Sequence, residues 1–330
     1  MAEQDAFSIL QQMTSGYILS RCLHIVAEIG IADVLDNSPR TAAELANLAG
    51  VNADALNRVL ALLSAHGVFE TRGDRFEHTP ASRMLQTNHP QSMRAFVRNI
   101  GAPLKWMAYL DLDYSVRTGQ AAVEKSFPNW QWNYYAEHVE EGAIFNAAMA
   151  DKARGQIPAI VKAYDFSGFS VIGDIGGGLG HLLFAVMDSA PNAKGILFDL
   201  PHVIQAVADV RSDRITFKSG DFFRDRLPVC DAYLLMEIIH DWGDDQALAI
   251  LKALREVAPS QAKLLLIETV VPETPGPHWS KTLNVHMLAM LGGRQRTLKE
   301  YESLLQNAGF SFQREVDTGA GISIIEAVCL

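Results

Sequence analysis

Apolar residues recur at helical spacing through the first part of the chain. Over residues 5–36 they fall at Ile9, Leu10, Met13 and Tyr17, then at Leu23, Val26, Ala27, Ile31 and Leu35, which predicts a long helical segment. In TAAELANLAG, Thr41 and Glu44 have the spacing of a capping box, and Gly50 closes a short helix. VNADALNRVLALLSAHG reads as the next helix, capped by Asn52 and stopped by Gly67. VFETRGDRFEHT alternates, turns at Arg72-Gly73-Asp74, and predicts a hairpin. Helix, helix, hairpin is a winged-helix pattern. Residues 90–165 read as mostly helical and are dense in aromatics: Trp106, Tyr109, Tyr114, Phe127, Trp130, Trp132, Tyr134, Tyr135 and Phe145. A helical layer packed on the core and a lid over a ligand both fit that density.

From Val171 the period changes. VIGDIG, KGILFDL, ITFKSGD, DAYLLMEI and KLLLIETV read as strands, and the segments LGHLLFAVMDSAP, HVIQAVADV and DDQALAILKALREVA between them as helices. Near-continuous apolar strands alternating with helices predict a parallel sheet covered on both faces. A helix from TLNVHMLAMLGG, another capped by Thr297 and Glu300, and the segments FSFQREV and ISIIEAVCL close the chain.

Composition narrows the function classes. The 330 residues are 48% hydrophobic and 20% charged, with a net charge of −10, as in a globular chain of two domains. A winged helix raises the question of DNA. Between Thr41 and Pro80, however, the bases Arg58, Arg72 and Arg75 are outnumbered by Glu44, Asp54, Glu70, Asp74 and Glu77, and the second helix offers only Arg58 to phosphates and base edges. A subunit contact suits so apolar a module better than nucleic acid. Cys22, Cys230 and Cys329 lie far apart with no metal-ligand spacing, and suit a reducing compartment. No basic start leads into an apolar run, and no apolar stretch reaches the roughly 20 residues that cross a bilayer, so a cytoplasmic location is expected.

The chemistry concentrates at VIGDIGGGLGH. In an open α/β sheet ligands bind at the carboxyl ends of the strands, where this turn lies. A dinucleotide fingerprint would need glycine where His181 stands, and no Gly-Lys-Ser/Thr of a phosphate loop is present. Asp174 opposes a pyrophosphate but suits an ammonium or sulfonium. Asp199, 23 residues after Gly176, ends the second strand where an acid binds ribose hydroxyls, as NAD would also want. Asp221 and Phe222, in GDFF, can meet the amine and face of an adenine. Either acid alone is also explained as a helix cap, but the ordered set favours S-adenosylmethionine.

DIGGGLG, FDLPHVI, GDFF, HDW, IETVVPE and GGRQRT, with EIGIADVL and RTAAELA, give the chain a strong resemblance to the small-molecule O-methyltransferases typified by the caffeic acid, acetylserotonin and bacterial natural-product enzymes. The resemblance spans essentially the whole chain. It implies an α/β, Rossmann-like methyltransferase domain over residues 166–330, a mainly helical winged-helix dimerisation domain over 1–100, a helical linker or lid over 101–165, and a homodimer. By that similarity Asp174, Gly176, Gly178, Asp199, Leu200, Asp221, Phe222 and Met236 hold the cofactor; Met236 stands where many relatives carry lysine. His240 is implied as general base, an imidazole suiting that task near neutral pH. Glu268 is its acidic partner and Asp241 lies near the substrate, or else serves as a helix N-terminal acid. Phe145, Met149, Trp242, Asn284, Met287 and Gln295 are implied at the acceptor, with core packing the equal alternative for Trp242 and Met290.

Two departures stand out: Gln295 replaces a second glutamate beside the histidine, and Asn284 replaces the usual aspartate. The expected activity is methylation of a phenolic hydroxyl on a small aromatic metabolite. Those two neutral amides keep open a relative with altered chemistry: N-methylation, decarboxylation or hydroxylation. The rival of another class is a winged-helix DNA-binding regulator.

Overall fold

The computed structural model describes residues 5–128, 133–207, 209–210 and 212–330, so Trp130 and Trp132 lie outside the described residues. The chain forms two compact units, Met1–Trp106 with Trp130–Lys152, and Met107–Asn129 with Ala153–Leu330.

In the first unit the helical segment expected over 5–36 is broken. Helix Ala6–Ile29 stops at Gly30, whose φ of 72° is left-handed, and Ile31–Leu35 forms a separate turn of helix. The apolar period runs on through the glycine, which hides the break. Thr41 and Glu44 do form the capping box of helix Ala42–Ala49, and the Asn52 side chain accepts from the Ala55 amide at the start of Ala53–Ala65. Strands β1 (Arg40–Thr41), β2 (Phe69–Arg72) and β3 (Arg75–His78) pair antiparallel in the order β1-β3-β2. Arg72 opposes Arg75, so Gly73 and Asp74 make a two-residue hairpin turn. Leu45, Leu60, Leu63 and Phe69 are fully buried in this unit's core. Helix Ala6–Ile29 instead leaves Phe7, Leu10, Met13 and Tyr17 exposed.

The second unit holds β4 (Val171–Ile175), β5 (Lys194–Asp199), β6 (Ile215–Ser219), β7 (Ala232–Met236), β8 (Lys263–Glu268), β9 (Phe310–Asp317) and β10 (Ser323–Cys329). They lie in the order β6-β5-β4-β7-β8-β10-β9. The first five are parallel, as their apolar runs predict. The sheet as a whole is mixed rather than parallel: β10 runs antiparallel to both β8 and β9. The connection between β9 and β10 is too short for the crossover a parallel pair requires. Successive side chains enter opposite cores. Tyr233, Leu235, Leu264 and Leu266 meet helices Asp244–Val257 and Leu298–Asn307. Ala232, Leu234, Leu265 and Ile267 meet His181–Ser189, with Ile157 and Ile160, on the other face. Strand order reverses between β4 and β7, which opens a crevice at their carboxyl ends.

Leu266 is fully buried between β7 and β10. Leu266→Ala is expected to cost roughly 2–5 kcal/mol, against about 0.5 kcal/mol or less for Val229→Ala, which is 56% exposed. Thermal melts of both variants check this, and equal shifts would contradict the placement of the core.

Candidate active site

The glycine turn leaves β4 at the crevice. Gly176, Gly178 and Gly180 have φ of 71°, 58° and 81°, values that L-residues with side chains adopt only under strain. Close packing adds a second reason for glycine. A Cβ on Gly177 would lie 2.5 Å from the Asp174 carboxyl carbon, and one on Gly176 would lie 2.6 Å from Ile238. Asp199 fastens the turn to the next strand, its Oδ2 accepting from the Gly178 amide at 2.8 Å and its Oδ1 from the Leu200 amide at 2.7 Å.

The Asp174 carboxylate is buried beneath Gly177, and neither oxygen has a hydrogen-bond partner. Burial, then the neighbouring Asp199, pushes it up to about 7, with only a weak opposing pull from the Leu183 amide. Burial also raises the Asp199 carboxyl, against the pull of the Gly178 and Leu200 amides. Two like charges beneath an open backbone cradle make a site that a cation relieves. The residues present therefore fit a sulfonium-bearing ligand such as S-adenosylmethionine.

The second half of the site follows β7. Glu237 has φ of 54°, in the left-handed region, and turns the chain out of the strand; its amide still donates to the Ile267 carbonyl. Ile239–Asp241 then make one 3₁₀ turn. Glu268, the last residue of β8, is fully buried, and its Oε1 accepts from the amides of Ile239 (2.9 Å) and His240 (3.3 Å). Its Oε2 lies 3.2 Å from His240 Nδ1, and Asp241 Oδ1 lies 3.2 Å from His240 Nε2. Gln295 Nε2 is 2.7 Å from Nδ1, while Asn284 Oδ1 accepts from the Gln295 backbone amide at 2.9 Å. Asn284 thus positions Gln295, and Gln295 the ring.

Burial alone would lower the His240 imidazole. Glu268, Asp241 and Glu237 outweigh it and raise the ring to about 9. Glu268 is itself raised, by burial first, with His240 opposing. The ordinary imidazole value near neutrality is therefore not the one that applies here, because three carboxylates surround the ring.

The GGRQRT segment braces this turn. A Cβ on Gly293 would fall 2.2 Å from the His240 carbonyl oxygen, and the Arg294 amide donates to that same carbonyl. Arg296 is buried and donates to the carbonyls of Ile239 and Trp242 and to Asp244 Oδ1. Neither Arg296 nor Glu237 has a signal in the linear pattern, where an arginine between polar neighbours reads as surface. The nearest clue is Asp244, an acid placed to receive it.

Among the remaining expected site residues, Trp242 stands edge-on to both Phe222 and Phe223, linking the His240 turn to the GDFF loop. The Phe222 ring also lies 3.8 Å from where a Gly176 Cβ would be. Asp221 is engaged locally: Oδ1 accepts from the Phe223 amide and Oδ2 faces Arg224. Met236 ends β7, half-buried. Met287 and Met290 are buried on helix Trp279–Met290. Phe145 and Met149 belong to the first unit, where Phe145 stacks on Tyr135 at 4.8 Å.

Comparison with known proteins agrees with this arrangement. Residues 109–311 match an O-methyltransferase domain and residues 11–88 an O-methyltransferase dimerisation domain. The chain is 39% identical to the phenazine O-methyltransferase PhzM of Lysobacter antibioticus over 97% of its own length and 95% of that protein's. It is 33% identical to an 8-amino-8-demethylriboflavin N,N-dimethyltransferase of Streptomyces davaonensis, over 93% of this chain and 91% of that one. The structure of human N-acetylserotonin methyltransferase in complex with S-adenosylmethionine superposes with a TM-score of 0.88, at 27% identity and 99% coverage of each chain. The chain therefore belongs to the S-adenosylmethionine-dependent O-methyltransferase family.

Proposed function

We propose that this enzyme methylates a phenolic hydroxyl of a small aromatic metabolite, with His240 as general base. The observation that carries the reading is the His240 ring, held at the tips of β7 and β8 with a carboxylate on each nitrogen, in the crevice that also holds the glycine turn. Gly176, Gly178, Asp199 and Leu200, with Asp221, Phe222 and Met236 along the crevice, hold the cofactor over the buried Asp174 charge. The cofactor supplies an electrophilic methyl on a sulfonium.

The chain's own residues manage the proton. With the hydrogen on Nδ1, beside Glu268 Oε2 at 3.2 Å and with the Gln295 amide turned oxygen-inward, Nε2 offers its lone pair to the acceptor hydroxyl. Once protonated, Nε2–H donates to Asp241 Oδ1. An imidazole raised to about 9 is close to an ordinary phenol near 10, so the transfer is nearly level in free energy. By the family resemblance Phe145, Met149, Trp242 and Met287 are the acceptor's residues, and Gln295 and Asn284 keep the base in place. Residues 1–100 form the dimerisation domain and residues 101–165 a helical linker or lid. The exposed apolar stripe of helix Ala6–Ile29 is covered by a second copy of the chain. No helix among the described residues is long and apolar enough to cross a membrane.

A second reading, N-methylation, is favoured by the dimethyltransferase relative and by the neutral Gln295. Labelled methyl donor offered to matched phenols and anilines separates the two. Label in the phenols supports the proposal, and label confined to the anilines replaces it.

His240→Ala is expected to lower kcat about 10²–10⁴-fold, while affinity for S-adenosylhomocysteine stays near wild type. Unchanged turnover would remove His240 from the chemistry.

Because the neutral ring is the base, kcat/KM is expected to rise with pH with a midpoint near 9 and to level off above it. Glu268→Gln removes an anion that stabilises the imidazolium, so the rising limb moves to lower pH. A pH–rate profile with the same midpoint in both enzymes would show that this pair does not set the titration.

A further inference from the structure

Asp174 lies on β4 between β5 and β7, and its strand neighbours are Leu197 and Leu234. It is 1% exposed, and neither carboxylate oxygen has a hydrogen-bond partner. The carboxyl group packs against the bare backbone of the turn: a Cβ on Gly177 would lie 2.5 Å from both its carbon and its Oδ2. One residue further along the turn there is open space, since a Cβ on Gly178 would meet no atom within 4 Å.

The groups packed around Asp174 do not balance its charge. From β5 it faces Asp199, a second carboxylate, whose oxygens are taken by the Gly178 and Leu200 amides. From helix His181–Ser189 only the Leu183 amide acts on it, weakly, and His181 at the start of that helix is exposed. His202, on helix Pro201–Ala206, acts on Asp199. Among the described residues no lysine or arginine acts on either acid. A desolvated carboxylate with no donor and a like charge beside it holds a proton more readily than one in water. Asp174 is accordingly pushed up to about 7. A positive charge brought over the turn reverses that preference, because attraction is strong where water is excluded. The anion is then the favoured form, and the proton has to leave.

We propose that a proton held on Asp174 in the free enzyme is exchanged for the positive charge of the cofactor, so that binding of S-adenosylmethionine releases that proton to solvent. One O–H bond of the carboxyl group breaks, the proton passes to a buffer base, and no other bond changes. The charge that displaces it is the sulfonium or the cofactor's α-ammonium, which share this chemistry. The exchange rests on the reading above in which the cofactor lies over the glycine turn, and is independent of His240 and of the acceptor. The free enzyme binds the extra proton, so donor affinity is full above neutrality and is lost as pH falls. Acid therefore weakens loading of the donor, a step separate from the titration of the base.

The test is calorimetric titration of the full-length enzyme with S-adenosylmethionine at pH 6 and pH 7, each in two buffers of different ionisation heat, which counts the protons released. Wild type is expected to release about half a proton per cofactor at pH 7 and close to one at pH 6, with Kd about fivefold weaker at pH 6. Asp174→Asn, of equal shape and with no proton to lose, is expected to release none and to change by less than about twofold over the same range, its fold being checked by a thermal melt. No release by wild type overturns the proposal, whether or not the variant folds. Release that persists in folded Asp174→Asn assigns the proton to another group and also overturns it. S-adenosylhomocysteine keeps the α-ammonium and lacks the sulfonium charge. Equal release with it supports exchange through the α-ammonium, and release confined to S-adenosylmethionine supports exchange through the sulfonium. The placement of the cofactor is checked apart, with Asp199→Ala. Undiminished affinity in that variant would remove the cofactor from the turn, whereas weakened affinity with no proton release by wild type would sink the exchange alone.

Discussion

A single buried carboxylate organises the site. Glu268 ends β8 with no exposed surface, where an ionised group is tolerated only if donors surround it. The amides of Ile239 and His240 supply two of those donors to Oε1, and the imidazole Nδ1 stands beside Oε2. The turn that carries His240 therefore forms where it does because its own backbone solvates the acid. Geometry and charge come from the same group: the oxygen that receives the amides fixes the ring's position, and its twin raises the ring's affinity for a proton. Arg296 and Gly293 add the bracing, one by capping the carbonyls of the turn and the other by lacking the side chain that would push it away.

The same principle, stabilisation of buried charge by backbone and ligand, works with opposite sign at the glycine turn. Asp174 lies under Gly177 with no donor, and Asp199 is partly satisfied by the Gly178 and Leu200 amides. The first half of the site thus holds excess negative potential, and the second half an imidazole that neighbouring carboxylates make more basic. A sulfonium suits the former, and on the proposed reading an acceptor hydroxyl suits the latter. Trp242, edge-on to Phe222 and Phe223, links the His240 turn to the GDFF loop through apolar surface.

What the sequence makes legible is what depends on neighbours along the chain. The central strands are buried on both faces, so β7 and β8 are almost uninterrupted apolar runs. The capping boxes at Thr41 and Thr297 close over three residues. The glycine turn must be glycine for local backbone reasons, and the acids at the end of β5 and after β6 follow in chain order. What is not legible is fixed across the fold. Gly30 sits inside an apolar period that continues through it. Two-residue β1 exists only because β3 is there to pair with it. The antiparallel β9–β10 pair has the composition of any buried strand. Arg296 and Lys105 are two cations that the linear pattern assigns to the surface; one is buried to hold carbonyls and the other among aromatic rings.

Gln295 shows how a departure from the family pattern can preserve its purpose. A glutamate there would put a further carboxylate beside a ring already flanked by Glu268 and Asp241. Like charges so close raise one another, and one of them would then hold a proton of its own. An amide avoids that competition. Its two ends are nearly the same shape, so it serves either state of the ring: oxygen toward Nδ1 accepts from Nδ1–H, and nitrogen toward Nδ1 donates to a lone pair. Only the first keeps the hydrogen on Nδ1, so the oxygen-inward amide goes with the Nδ1–H ring, neutral or charged, and the nitrogen-inward amide with the other neutral tautomer. Asn284, held to the Gln295 amide rather than to the ring, fixes the backbone while that choice is made. Charge stabilisation of the imidazolium therefore rests on Glu268 and Asp241, with Gln295 left to orient it.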